Sequence, residues 1–411
     1  MQLTIDYLQL ITHDSQLKTY TMAVVLFDNL LRKALFPLTS NKAVADLRIG
    51  ILTGKERWKL ILHEHVYVHT ESYLQDLYEA ISHEEHIWID ASILPDAETV
   101  KHIKALQSGE SLIDNKGLIA KRGVVDVVNP SINESENRHK QIVLQKECLR
   151  LERPWQMFLW NDKILRSDFA LLTKGRTSES ISHTNQTIRE TDIFIEEGAE
   201  VAFATLNASS GPIYIGKGAV IMEGSFIRGP FAACEKSVVK MGAKIYGATT
   251  LGPHSTGGGE IKNAILQGYS NKAHDGYLGD SVLGEWCNLG AGTTNSNIKN
   301  TASDVKMYAY DREDWMNAGL KAGVIMGDYC RTSINTSINT GTVMGVSCNV
   351  FGEGLMPKFI PDFAWGGQSG TEYLFDKALE DIENWKKLKH NNLSAAEKKV
   401  LKHIFDGRAK K

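Results

Sequence analysis

Ile215-Gly-Lys-Gly-Ala-Val-Ile221-Met-Glu-Gly-Ser-Phe-Ile227 opens a stretch in which an aliphatic residue returns at every sixth position. The series continues through Ala233, Val239, Ile245 and Leu251, and small residues stand two places earlier at Ala219, Ser225, Ser237, Ala243, Thr249 and Ser255. Such a period is neither that of a helix nor the alternation of a hairpin. It fits short flat strands joined by tight corners, three strands to a coil, with the aliphatic residue filling the inside of a prism. The reading is an all-β left-handed parallel β-helix of hexapeptide repeats over residues 191–369.

After a slip of two residues the spacing resumes at Ile265, Asn271, Tyr277, Leu283 and Leu289, and again at Met326, Thr332, Ile338, Met344 and Val350. In this phase Tyr277 falls on a core position. Residues 299–323 break the period and are expected to loop out of the coil, where binding residues tend to concentrate. Beyond them Leu374, Ala378, Ile382 and Trp385 follow helical spacing, and Ser394-Ala-Ala-Glu397 is a capping box opening a second helix. These C-terminal helices, over 370–411, are expected to cap the open end of the stack or to pack on a neighbouring subunit.

The front of the chain is different. Residues 22–150 mix strand-like apolar runs (Met22 to Phe27, Val66 to His69, His86 to Asp90) with an amphipathic stretch from Pro95 to Gln107, the pattern of an α/β domain. Residues 1–21 are expected to be an extension ahead of Met22, and 151–190 a linker. The one candidate phosphate-binding turn, Phe27 to Thr39, has no glycine, although close backbone approach to a phosphate usually needs one. His63, His65 and His69 alternate along a presumed strand face without a carboxylate or cysteine at ligand spacing, so no metal site is expected.

Composition narrows the partners. With 46 basic and 49 acidic side chains the formal net charge is -3, which favours neither nucleic acid nor an anionic membrane. Five widely spaced cysteines without a Cys-x-x-Cys read as reduced, packed thiols of a cytoplasmic protein. No apolar run of about 18 residues suggests a membrane span. Small molecules are the expected ligands.

The chemistry concentrates in Glu260-Ile-Lys-Asn-Ala264, Ser270-Asn-Lys-Ala-His-Asp-Gly-Tyr-Leu-Gly-Asp280 and Asn288-Leu-Gly-Ala-Gly-Thr293, where a lysine, an imidazole, a phenol and an amide fall on successive coils. An amine or hydroxyl attacking a thioester must lose a proton, and an imidazole titrating near neutrality can accept it. The words His274-x-x-Tyr-Leu-Gly-Asp280 and Asn288-x-Gly-Ala-Gly-Thr293 resemble the acetyltransferase domain of the bifunctional sugar-1-phosphate nucleotidyltransferase and glucosamine-1-phosphate acetyltransferase family, in its archaeal-type form. Arg153-Pro-Trp155 and Gly327-Asp-x-x-Arg-Thr-x-Ile-Asn-Thr336 match the same relatives, and the likeness covers roughly 153–355.

That resemblance implies His274 as general base, with Tyr277 and Asn288 placing the sugar phosphate and Lys262 meeting the phosphate, helped by Lys244 and Arg228. Backbone amides or Asn288 could steady the oxyanion. Ala291, Gly290 and Gly292 would lie near the acetyl-CoA thioester. Ser303 stands where a basic residue is expected and Ile298 replaces an aromatic, so Lys306 would take over the cofactor contact. The front domain resembles a shortened, divergent sugar nucleotidyltransferase, in which Arg32 and Asp90 loosely match nucleotide and magnesium positions. The function expected is acetyl-CoA-dependent acyl transfer to a sugar 1-phosphate or nucleotide sugar, by a homotrimer. The alternatives are magnesium-dependent nucleotidyl transfer from a nucleoside triphosphate, and a sugar-nucleotide sensor or scaffold without catalysis.

Overall fold

The computed structural model describes residues 23–124, 140–367 and 371–408; the expected extension, residues 1–21, lies outside them. The front domain contains β1 (Val24–Phe27), a short hairpin of β2 (Arg48–Ile49) and β3 (Leu52–Thr53), and then β4 (Val66–His69), β5 (His86–Asp90), β6 (Glu110–Asp114), β7 (Gly117–Gly123) and β8 (Lys140–Val143). Its sheet has the order β4-β1-β5-β7-β6-β8, with β1 parallel to both neighbours. All four residues of β1 are buried, as a parallel strand covered on both faces requires. Helix α1 (Gly54–Leu62) starts from a capping box between Thr53 and Glu56, and α2 (Ser72–Gln75) and α3 (Ala97–Ala105) follow. His63 is the left-handed cap of α1 and His65 pairs with Glu79 at 2.9 Å, so the three histidines do not share a strand face.

The repeat region is a parallel β-helix with three faces. Face A runs from Ile193–Ile195 to Phe359–Ile360, face B from Glu200–Val201 to Ala364–Trp365, and face C from Gln186–Ile188 to Ser337–Ile338. On face B, Val220 pairs with Val238 and Val238 with Thr256, so one coil takes 18 residues. Ile215, Ile221, Ile227, Ala233, Val239, Ile245 and Leu251 all lie in one buried cluster inside the prism.

The expected phase needs a correction downstream. Leu251 is in register with Leu266 rather than Ile265, Gly257 with Lys272, and Ile261 with Leu278. Tyr277 therefore points outward and Leu278 fills the core. The cause lies in two strands, Glu260–Gly268 and Tyr277–Glu285, that continue from face C round to face A without a loop. Each turns through a single left-handed residue, Asn263 at φ 50° or Asp280 at φ 46°, so each corner is a residue shorter than a six-residue count allows.

Face A is covered by the front domain. Ile265, Val282, Ile325 and Val343 share a core with Leu35, Leu38, Ile49 and Phe158. The side-chain amide of Gln267 donates to the carbonyl of Arg48 at 2.8 Å and its oxygen accepts from the Arg48 amide at 2.7 Å. Lys42 lies 2.8 Å from Asp328 and 2.9 Å from Glu285. Buried charges this well paired fix one docking geometry, because separating them strands a charge in a low-dielectric interior.

The segment expected as a linker contains helix α4 (Gln156–Thr173). Asn161 on α4 accepts from Gly50 of the front domain at 2.7 Å and donates to Ala248 of the β-helix at 2.8 Å, so α4 joins the two parts. The break at 299–323 is a projecting segment carrying the hairpin Lys306–Ala309 and Asp314–Asn317, whose Met307, Ala309 and Tyr310 join the front-domain core. Helices α5 (Phe375–Lys387) and α6 (Ala395–Gly407) lie along the side of the prism rather than over its end. They pack on Trp286, Tyr329 and Phe363 at the corner between faces A and B, and Trp385 covers Arg331 on face B at 5.4 Å. All five cysteines are free and buried.

Candidate active site

With face A under the front domain and part of face B under α5, face C carries the largest group of the expected site residues. Its outward positions form two ladders. Phe226 is in register with Lys244, Lys244 with Glu260, and Glu260 with Tyr277; beside them Arg228 follows Asn207, and Tyr246 is in register with Lys262. Period-two alternation on a flat strand places these side chains together on the solvent side. A shallow cavity of about 270 Å³ lies among Asn207, Phe226, Arg228, Lys244 and Tyr246.

The ladders are tied by hydrogen bonds. The Tyr246 hydroxyl donates to Glu260 at 2.6 Å, which pushes the Tyr246 pKa up to about 12, and the Lys262 ammonium lies 5.7 Å from the Tyr246 ring centroid. Tyr277 accepts from Asn297 at 3.1 Å; Asn297 donates to Asp280 at 2.5 Å and Asn263 donates to the same carboxylate at 2.7 Å. Burial, and then the nearby Asp280, hold the Tyr277 phenol well above its ordinary pKa. Tyr277 is thus a neutral phenol at physiological pH. The sequence reading missed Tyr246, Glu260, Asp280 and Asn297; the last sits beyond the quoted words, although Asp280 closes one of them.

His274 stands on the corner that leads from face B to face C, and its side chain is exposed. Among the described residues, none hydrogen-bonds its ring. Gly290, Ala291 and Gly292 form the same corner one coil later. Their glycines have a packing reason: a Cβ on Gly292 would lie 2.1 Å from the Asn335 oxygen, and one on Gly290 2.5 Å from Ser333 of the following coil. Asn288 lies on face B, in register with Asn271 and Arg331, so it is one face away from Tyr277. Lys306, in the inserted hairpin, is at the opposite edge of face C from His274, beside Gly341.

In the front domain, Arg32 is buried, 3.1 Å from Asp28 and 2.9 Å from the Tyr73 hydroxyl. Asp90, at the end of β5, is buried with its carboxylate taken by Arg150 at 2.5 Å, Asn29 at 2.6 Å and Ser92 at 2.7 Å.

A family model described as sugar nucleotidyl transferase matches residues 24–177, the sheet together with α4. The front of the chain carries a sugar nucleotidyl transferase domain. A bifunctional sugar-1-phosphate nucleotidylyltransferase/acetyltransferase of Sulfurisphaera tokodaii is 26% identical over 239 residues, 57% of this chain and 52% of that protein. The bifunctional protein GlmU of Methanocaldococcus jannaschii is 34% identical over 89 residues, 22% of this chain and 21% of its own length. The chain thus spans between about a fifth and about half of the curated relatives it matches. Among solved structures, the polySia specific acetyltransferase NeuO overlaps 45% of this chain and 79% of its own at 11% identity, with a TM-score of 0.20, too loose to bear on the site.

Nucleotidyl transfer by such a domain would call for a divalent cation at Asp90. The residues present do not fit one: both carboxylate oxygens already accept hydrogen bonds, and a cation arriving there would face the Arg150 guanidinium. In this front domain Arg150 and Asp90 pair with each other and Lys42 pairs with Asp328 of the β-helix.

Proposed function

We propose that the protein is an acetyl-CoA-dependent acyltransferase acting on a sugar 1-phosphate or nucleotide sugar, with His274 as general base. The observation that carries this reading is the gathering of Arg228, Lys244 and Lys262 with Tyr246 and Tyr277 on face C, at whose edge His274 presents an exposed imidazole. Three cations beside aromatic rings suit a sugar carrying phosphate, and the neutral phenol of Tyr277 can donate to a sugar oxygen.

In the reaction proposed, His274 takes the proton of the acceptor amine or hydroxyl as that atom attacks the thioester carbonyl. The tetrahedral intermediate collapses with cleavage of the carbon–sulfur bond, and the imidazolium returns its proton to the departing coenzyme A thiolate. Asn288 or backbone amides near Ala291 hold the oxyanion. Because Asn288, Gly290 and Gly292 lie on or beside face B while the cations lie on face C, one prism spreads these groups around an edge. A second copy laid against that edge would complete the cleft, and a closed homotrimer repeats it three times. A second reading, nucleotidyl transfer by the front domain, is favoured by the family match alone.

The test is thiol release from acetyl-CoA with a panel of amino and hydroxyl sugar 1-phosphates, alongside pyrophosphate release from nucleoside triphosphates with magnesium. Acceptor-dependent thiol release that falls at least about a hundredfold in His274→Ala is expected. Pyrophosphate release without thiol release would replace this function with the second reading.

A further inference from the structure

The corrected register exposes a residue that the sequence reading passed over. Lys272 takes an inward position of face B, in register with Gly257, and belongs to the same ladder as Val239. It is 1% exposed. Its ammonium donates to the carbonyl of Gly258 at 2.9 Å and to the carbonyl of His274 at 2.5 Å. Among the described residues no carboxylate stands within salt-bridge distance of it. Burial accordingly lowers its pKa to about 8, with Asp275 acting in the opposite direction.

A charged lysine in an otherwise largely apolar prism costs stability unless its position does something an aliphatic residue could not. What it does here is geometric. Gly258 and His274 belong to the same corner of two successive coils, and one ammonium bridges both carbonyls. Because no described residue orients the His274 ring by a direct hydrogen bond, the direction of its Cα–Cβ bond is set by the backbone of that corner. We propose that Lys272 is a positioning residue that clamps the corner from inside the prism and so aims His274 over face C. This role rests on the acyltransferase reading of His274.

The experiment compares the full-length protein with Lys272→Met, which keeps the length and removes the donors, and with Lys272→Arg, which restores donors at the same place. Two readouts are taken: amide hydrogen exchange of residues 273–276, and steady-state thiol release. In Lys272→Met, exchange at this corner should rise about fivefold to tenfold, the effect of one hydrogen bond of ordinary net strength. The value of kcat should fall about 10- to 100-fold with KM for acetyl-CoA unchanged, as a displaced base predicts, and Lys272→Arg should recover part of it. Unchanged exchange at 273–276 overturns the clamp whatever the catalytic result. Unchanged kcat in an active protein overturns the positioning role alone, whereas a wild type that releases no thiol with any acceptor while the corner still loosens sinks the acyltransferase reading instead.

Discussion

At the scale of single residues, two buried charges make opposite statements about stability. Burial disfavours the Lys272 ammonium and lowers its pKa to about 8 in the fold, against 10.5 for an ordinary lysine. Between these values the unfolded chain binds more protons than the native one, so the wild type should gain stability as pH rises from about 8 to 10.5. Below pH 8 both states are protonated and the cost of the buried charge is constant. Urea denaturation across this range should show the gain in the wild type and its absence in Lys272→Met; parallel curves would mean that the ammonium is solvated. Asp90 and Arg150 are the contrasting case, a buried pair with each side chain 4% exposed or less. Arg150→Met should lose about 3–5 kcal/mol in denaturant unfolding, since it leaves a carboxylate buried without its counter-charge. Tyr277 shows how far the sequence could be read here. Its motif was visible, but its direction was not, because one-residue shortenings at Asn263 and Asp280 leave no mark in a six-residue count.

At the scale of elements, the coil repeat was legible because each coil solves the same packing problem with the same residue types. Ile215, Val239 and Leu251 stand where the period put them. The associations between elements were not legible, since they depend on pairs far apart in sequence, such as Gln267 with Arg48 or Asn41 with Asp328. The same limit explains α5 and α6. Their helical spacing and the Ser394 to Glu397 capping box could be read directly, but their place along the A–B corner depends on a ladder of rings: Tyr269 stacks on Trp286 at 4.2 Å and His254 on Tyr269 at 4.7 Å. Lys386 reaches over Trp286 at 5.4 Å, and Ile382 is wholly buried. If α5 is an integral wall of the prism, Ile382→Ala should lower unfolding stability by about 2–5 kcal/mol, the cost of a core cavity. A loss confined to a few tenths would instead describe a loosely attached appendage.

At the scale of the whole molecule, what remains uncovered bears on the homotrimer proposed above. The front domain lies over face A, and the C-terminal helices cover the A–B corner and Arg331 on face B. Face C, the rest of face B and the corner bearing His274 are left, and apolar side chains lie open there: Phe226 at 59% exposure on face C, with Phe203 at 63% and Met241 at 67% on the B–C corner. Apolar groups clustered beside cations on one uncovered surface fit a contact between copies. Because that contact would also bring Asn288 of one copy towards the face C of another, assembly and activity should fail together. Light scattering after size exclusion should give three times the chain mass for the wild type. Phe226→Asp with Met241→Asp should give the single chain mass, an unchanged far-ultraviolet spectrum and thiol release reduced at least about tenfold, because the cleft loses one wall. A wild type that is a monomer and fully active would mean that a single prism edge suffices, and would remove the reason for placing Asn288 in the same site as Tyr277.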